Sequence, residues 1–364
     1  MPAGGRFILD LWARTLETHM VPEFSRDLRV YETRRGVQLC ADSRAVLRSL
    51  AADSVDLIVT SPPFALLRQK SYGNEVQSEY VAWLGAFGEA AFRVLKPTGS
   101  FVLDLGGAYE RGRPVRSLYN FRVLLDWCDR IGYRLAEEFF WYNPAKLPSP
   151  IEWVNKRKLR AKDAVNTVWW FSKTDNPKAD VAKVLVPYSE RMETLLKDPD
   201  KFYTPKERPS GHDIAKAFGK RNAGAIPSNL LQIPNTDSNS HYLRTCKMLG
   251  RESHPARYPS DLPRFFVNFL TDPDDLVMDI FSGSNTTGRV AEETGRRWVS
   301  VESERRFAVL SAVRFMTTWD DQSIRTAVRE LDNGRVIDLE AGLSLGPMTE
   351  APRPVGSLQN QLFE

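Results

Sequence analysis

Along the chain, short unbroken runs of apolar residues alternate with stretches in which apolar positions recur at helical spacing. Residues 37–40 and 55–59 have the length and continuity of buried strands, and residues 43–50 between them repeat with the period of a helix. Residues 79–95 predict a helix that stops at Lys96-Pro97-Thr98-Gly99, where proline removes a backbone donor and glycine accepts a turn. A strand over 100–105, a helix over 119–131 and a strand over 138–141 follow. The alternation breaks after Asn143-Pro144 and resumes as helix 263–270, strand 276–281, helix 286–294 and strand 298–302. Alternating strands and helices predict a mostly parallel sheet covered on both faces, here interrupted by a less regular insertion. The Gly- and Pro-rich end from Leu339 is expected to be poorly ordered.

The 364 residues are 42% apolar and 26% charged, ordinary globular usage with length for two or three domains. No window reaches the ~18 apolar residues of a membrane helix and the N-terminus has no signal-peptide core, so a cytoplasmic protein without membrane contact is expected. Cys40, Cys128 and Cys246 are far apart, and His19, His212, His241 and His254 show no ligand spacing, so neither a disulfide framework nor a metal site is expected. The net charge of +4 is unevenly placed: residues 145–262 hold 21 Lys or Arg against 13 Asp or Glu. Within them Lys156, Arg157, Lys158, Arg160 and Lys162 form a run bracketed by Trp153, Trp169 and Trp170, a combination suited to phosphates and groove edges. A solvated helix face accounts for such a run equally well.

Two motifs carry chemistry. The segment from Asp279 through Phe281, Gly283, Asn285 and Thr286 to Gly288 closes a strand and opens a helix, where small residues let backbone amides approach a ligand. It lacks the lysine of a phosphate-binding Walker loop, whereas Glu302, ending the next strand, is placed to accept hydrogen bonds from ribose hydroxyls. Thr60-Ser61-Pro62-Pro63-Phe64 leaves an apolar strand through two prolines that fix the backbone. The Ser61 hydroxyl, the Pro62 carbonyl and the Phe64 ring then offer acceptors and an aromatic face to a planar amine. The segment Phe140 to Pro144, with Trp141, Tyr142 and Asn143, reads equally as a further wall of that site or as a core strand ending at a proline turn.

Ser61-Pro-Pro-Phe64, His254-Pro-Ala-Arg-Tyr-Pro259 and Phe281-Ser-Gly-Ser-Asn-Thr-Thr-Gly288, in this order, resemble the motifs of β-class amino-methylating DNA methyltransferases. Gly106-Gly-Ala-Tyr109, residues 147–158, residues 163–173 and Arg208-Pro-Ser-Gly-His-Asp213 further resemble the PvuII-type, cytosine-N4-specific branch of that family. The resemblance covers roughly residues 31–315 and implies a circularly permuted, Rossmann-like S-adenosylmethionine-dependent methyltransferase fold of class α/β, with an inserted DNA target-recognition domain. It implies an N-terminal extension (1–30), a catalytic half (31–144), a basic target-recognition domain (145–253), a cofactor-binding half (254–330) and a partly disordered tail (331–364). Phe281, Gly283, Asn285 and Thr286 would surround the methionine part of S-adenosylmethionine, with Asp279 nearby and His254 walling that side. Glu302 would hold the ribose and Asp42 the adenine amine. Asn285 departs from the glycine that most members carry, and asparagine tolerates the left-handed backbone required there.

By the same resemblance Ser61, Pro62, Pro63 and Phe64 are the catalytic segment, acting on a flipped base by direct in-line displacement. The basic run would bind double-stranded DNA, and a cognate restriction endonuclease is the expected functional partner. None of the cysteines follows a proline, which disfavours carbon-5 methylation through a covalent cysteine adduct. Serine before the two prolines favours cytosine over adenine. Adenine-N6 methylation, a non-catalytic DNA-binding protein and a nicotinamide dehydrogenase are the competing readings, the last leaving the Ser-Pro-Pro-Phe segment unexplained. A monomer is expected, since no heptad pattern is sustained.

Overall fold

The computed structural model describes residues 21–64, 79–110, 112–198, 220–236 and 240–341. Its strands are β1 (Arg29–Glu32), β2 (Gly36–Cys40), β3 (Val55–Thr60), β4 (Leu95–Gly106), β5 (Arg134–Tyr142), β6 (Val165–Ser172), β7 (Leu230–Gln232), β8 (Leu276–Asp279), β9 (Arg297–Glu302) and β10 (Ile337–Asp338). The helices are α1 (Ser43–Ser49), α2 (Tyr80–Val94), α3 (Tyr119–Leu125), α4 (Glu190–Lys197), α5 (His241–Met248), α6 (Asp261–Leu270), α7 (Thr286–Glu293), α8 (Arg305–Ser311) and α9 (Asp321–Asp332). The single helix expected over 119–131 is α3 followed by a π-helical turn, Asp126–Ile131, which ends at the left-handed Gly132.

All strands join one sheet in the order β10-β1-β2-β9-β8-β3-β4-β6-β5-β7. It is mixed and mostly parallel: β1–β2, β4–β6 and β5–β6 are the antiparallel pairs. Every position of β3 is buried, as a central parallel strand covered on both faces requires. Alternate side chains feed two cores. Leu57, Val59, Val102 and Val168 pack with Phe266, Val290, Ala308 and Val328 on one face. Ile58, Phe101, Leu103 and Phe171 pack with Leu47, Leu84 and Trp127 on the other.

Three features differ from the sequence-based expectation. Residues 145–253 do not stand wholly apart from the sheet: β6 pairs with both β4 and β5, and β7 extends the sheet beyond β5. Trp169 and Trp170 point to opposite faces of β6 and are both buried, so neither flanks a DNA groove. Described parts of the expected N-terminal extension and C-terminal tail also join the sheet edge and core, because Ile337 pairs with Tyr31 while Phe24 and Leu339 are buried. The Arg208–Asp213 motif and residues 1–20 and 342–364 lie outside the described residues.

Candidate active site

Parallel strands β2, β9, β8, β3 and β4 end along one edge of the sheet, at Cys40, Glu302, Asp279, Thr60 and Gly106. Ligands of open α/β sheets bind outside this carboxyl edge. Inserting β8 and β9 between β2 and β3 places both sequence motifs there side by side.

On the target side, Thr60 turns into Ser61-Pro62-Pro63-Phe64. Ser61 Oγ donates to Asp104 Oδ2 at 2.9 Å, and Asn166 Nδ2 donates to Asp104 Oδ1 at 3.0 Å. Burial pushes the Asp104 carboxyl up to about 6, against the opposing effect of those two donors. With its proton committed to Asp104, the Ser61 oxygen keeps its lone pairs for an incoming amine hydrogen. Pro62 is buried, and the Pro63 carbonyl accepts from Tyr80 Oη at 2.8 Å, which fixes the proline turn. Phe64 lies over Gly106, where an added Cβ would come within 2.5 Å of the ring. Sequence reasoning missed Asp104 and Asn166. A lone carboxylate within the apolar strand Phe101-Val-Leu-Asp-Leu105 was the available signal for the first, and Asn166 lies in the 163–173 stretch that carries the family resemblance without a role attached to it.

On the cofactor side, Glu302 is buried, its Oε2 accepting from Gly283 N–H at 2.8 Å and its Oε1 from Glu304 N–H at 2.8 Å. Burial raises its carboxyl although both backbone donors favour the charged form. Gly283 has φ +50°, and a Cβ there would meet the ring of the buried His254 at 2.9 Å. Phe281 packs against Phe87 and Trp83 of α2, with ring centroids 4.8 and 5.7 Å away. Asp42 caps α1 by accepting from Arg44 N–H at 2.8 Å, and the Arg44 guanidinium holds its carboxyl below the usual range. An adenine amine at Asp42 would have to share that carboxylate with Arg44, which itself lies 5.3 Å from the centre of the Phe87 ring. The donor set suits a nucleoside methyl donor: a buried acceptor for hydroxyls, aromatic faces for a purine, and a glycine turn that admits no side chain.

Two expected cofactor ligands have their side chains used by the protein instead. Asp279 is fully buried, and its oxygens accept from Thr60 Oγ1 (2.7 Å), Phe281 N–H (3.1 Å), Thr287 Oγ1 (2.8 Å) and Tyr258 Oη (2.9 Å). A carboxylate has about four acceptor positions, so none is left for a ligand. Asp279 joins the catalytic strand end to the cofactor turn. Asn285 adopts the left-handed conformation expected of it, at φ 55°, but its Oδ1 caps α7 through Gly288 N–H at 3.0 Å and accepts from Ser300 Oγ at 2.7 Å. Its Nδ2 donates to Tyr31 Oη at 2.9 Å. Thr286 is buried in the first turn of α7.

The five basic residues divide. Arg160 donates to the Pro114 carbonyl through two nitrogens at 2.7 and 3.1 Å, and Lys162 donates to the Pro144 and Lys146 carbonyls at 3.1 and 3.2 Å, so both pin the segment rather than face solvent unengaged. Arg157 lies 5.2 Å from the Trp153 ring centre, Lys156 makes an exposed ion pair with Glu152 at 3.3 Å, and Lys158 is exposed at φ 54°. Trp141 is buried with its Nε1 on the Ile233 carbonyl at 2.8 Å, and Asn143 Oδ1 accepts from Ala145 and Asn235 N–H at 3.1 Å. That segment is a core strand ending in a capped turn. Among the described residues no group of His, Cys, Asp and Glu could hold a metal, and no helix is long and apolar enough to cross a membrane.

Comparison with known proteins agrees with this geometry. The sequence profile of a DNA methylase family matches residues 55–312. The Type II methyltransferase M.PvuII of Proteus hauseri is 56% identical over 312 residues, covering 85% of this chain and 93% of the relative. The DNA adenine methyltransferase YhdJ of Escherichia coli K12 is 24% identical over 266 residues, covering 72% of this chain and 76% of the relative. The solved PvuII DNA methyltransferase (cytosine-N4-specific) superposes with a TM-score of 0.71 at 47% identity, covering 85% of this chain and 97% of that one. The fold is thus the Rossmann-like methyltransferase fold, and the chain belongs to the DNA methylase family of N6/N4 methyltransferases.

Proposed function

We propose that this protein methylates the exocyclic N4 amine of cytosine in duplex DNA, using S-adenosylmethionine, as the modification enzyme of a Type II restriction system. The observation that carries the reading is Ser61, whose proton is held by Asp104 at 2.9 Å while Thr60 is tied to the cofactor turn through Asp279 at 2.7 Å. The names of the relatives, Type II methyltransferase and cytosine-N4-specific methyltransferase, support the same base and setting.

Glu302 and Phe281 would hold S-adenosylmethionine, which would supply an electrophilic methyl to the amine nitrogen, with its sulfur as the leaving group. The residues do the rest. The paired amine is buried in the duplex, so the base is extruded first, at a cost of about a few kcal/mol. Phe64 stacks on it, and the Ser61 oxygen with the Pro62 carbonyl accepts the amine hydrogens, which draws the nitrogen lone pair out of conjugation. After transfer the surplus amine proton passes to Ser61 Oγ as the serine proton passes to Asp104 Oδ2. A carboxyl near 6 is mostly ionised at neutral pH and can receive it. Glu302 holds the ribose and Asp42 the adenine edge in this reading, and the chain acts as a monomer on one strand at a time; a concentration-independent hydrodynamic mass of two chains refutes that last point.

The test is incubation with labelled S-adenosylmethionine and mixed duplex DNA, followed by nucleoside analysis. N4-methylcytosine supports the reading. N6-methyladenine refutes the choice of base, and no methylated nucleoside refutes the activity.

A further inference from the structure

The segment between β5 and β6, residues 143–164, leaves the sheet at the carboxyl edge, the edge at which Ser61 follows β3. Its base is pinned. Arg116 grips Asp163 through both nitrogens at 2.8 and 3.1 Å, Asp163 N–H bonds the Ser149 carbonyl at 2.9 Å, and Arg160 and Lys162 hold backbone carbonyls as described. Just beyond its end, Asn166 holds Asp104. Near its start, the positive charge of Lys146 favours the ionised form of the Asp104 carboxyl. On this held segment three large aliphatic side chains stand in water: Leu147 is 79% exposed, Ile151 62% and Leu159 46%. Single exposed aliphatic residues are ordinary. Three on one pinned segment, together with the exposed Lys156, Arg157 and Lys158, put apolar and cationic side chains on the same short stretch of chain. Duplex DNA has the complementary arrangement, with phosphates outside and an apolar base stack within.

We propose that Leu147, flanked by Ile151, enters the base stack of the duplex at the space vacated by the extruded target base, while Lys156, Arg157 and Lys158 contact the adjoining phosphates. The inference rests on the base-flipping methyltransferase reading above. Extruding a base leaves its neighbours and the orphaned partner base without stacking contact, and an aliphatic side chain of matching size restores part of it. Such a wedge assists only where the target must be pulled from a pair. It adds little where the target is already unpaired.

The experiment is single-turnover methylation by the full chain on two duplexes. One carries a sequence that the wild-type chain modifies. The other is identical except that the target cytosine faces a mismatched base. Leu147→Ala is expected to slow the paired duplex by ~10-fold or more and the mismatched one by no more than ~2-fold, with unchanged methyl-donor binding. Leu147→Met, which conserves volume, is expected to stay near wild type on both. Equal losses on the two duplexes, or no loss on the paired one, overturn the wedge. Because Leu147 is exposed, neither variant endangers folding, and an unchanged melting temperature checks this. A wild-type chain that methylates no cytosine in any duplex overturns the underlying activity, a failure distinguishable from the wedge because it appears before any variant is made.

Discussion

Replacing Asp104 by asparagine separates the chemistry of this carboxylate from its effect on stability, and the two should move in opposite directions. The amide keeps the shape: its oxygen still accepts from Asn166, and its nitrogen donates to Ser61 Oγ, reversing the bond that Ser61 now donates at 2.9 Å. Ser61 then has no acceptor for its proton and Asp104 no longer exists as a proton sink, so methyl transfer should fall by ~100-fold or more. Burial holds the native carboxyl near about 6. That lies ~2 units above an ordinary aspartate, and at 1.36 kcal/mol per unit the buried charge costs about 3 kcal/mol of stability. The sign follows from linkage. The folded chain binds this proton more tightly than the unfolded chain, so the stability present below about pH 4 is lost as pH rises through about 6. D104N escapes that loss. Urea unfolding should show it more stable than wild type by about 1–3 kcal/mol at pH 8, with the advantage roughly halved at pH 5 and gone near pH 4. In parallel, wild-type turnover should decline as pH falls through about 6, whereas the residual rate of D104N should not. A variant less stable than wild type at pH 8, or one with near-normal turnover, refutes the assignment of a buried, ionised Asp104 acting through Ser61.

Ser61→Ala should lower turnover by ~10-fold or more with cofactor affinity, measured by calorimetry, near wild type, since Ser61 meets the amine and not the methyl donor; equal losses in both would remove it from the chemistry. Gly283→Ala forces a side chain into a left-handed backbone and against the His254 ring at 2.9 Å. Titration should show S-adenosylmethionine binding weakened by ~10-fold or more, and unchanged affinity would show that the turn does not face the ligand. Among the basic residues, Lys158→Ala should reduce the slope of log affinity for DNA against log salt by about one unit, whereas Arg160→Ala should lower the melting temperature and leave the slope nearly unchanged. Reversed outcomes would exchange their roles.

The positions of strands and helices, the glycine turn and the proline exit from β3 could be read from the sequence, because periodicity, caps and fixed dihedrals act over a few residues. The left-handed backbone of Asn285 belongs with them, since it follows from the residue type and its place before a helix. The same residue shows where local reasoning stops. Its partners Tyr31 and Ser300 lie 254 and 15 positions away and reach it only because β1, β9 and α7 pack together. Asp279 likewise carries no mark of being a junction: Thr60 lies 219 positions away, and only the insertion of β8 beside β3 brings them within 2.7 Å. Asp104 and Asn166 meet across the antiparallel pairing of β4 with β6, a strand whose basic, proline-rich surroundings hid it and whose tryptophans looked like DNA contacts until the pairing buried them. Local preferences select the elements. Which strands become neighbours depends on burying their faces together over long sequence separations, and that pairing decides which side chains are left free for chemistry.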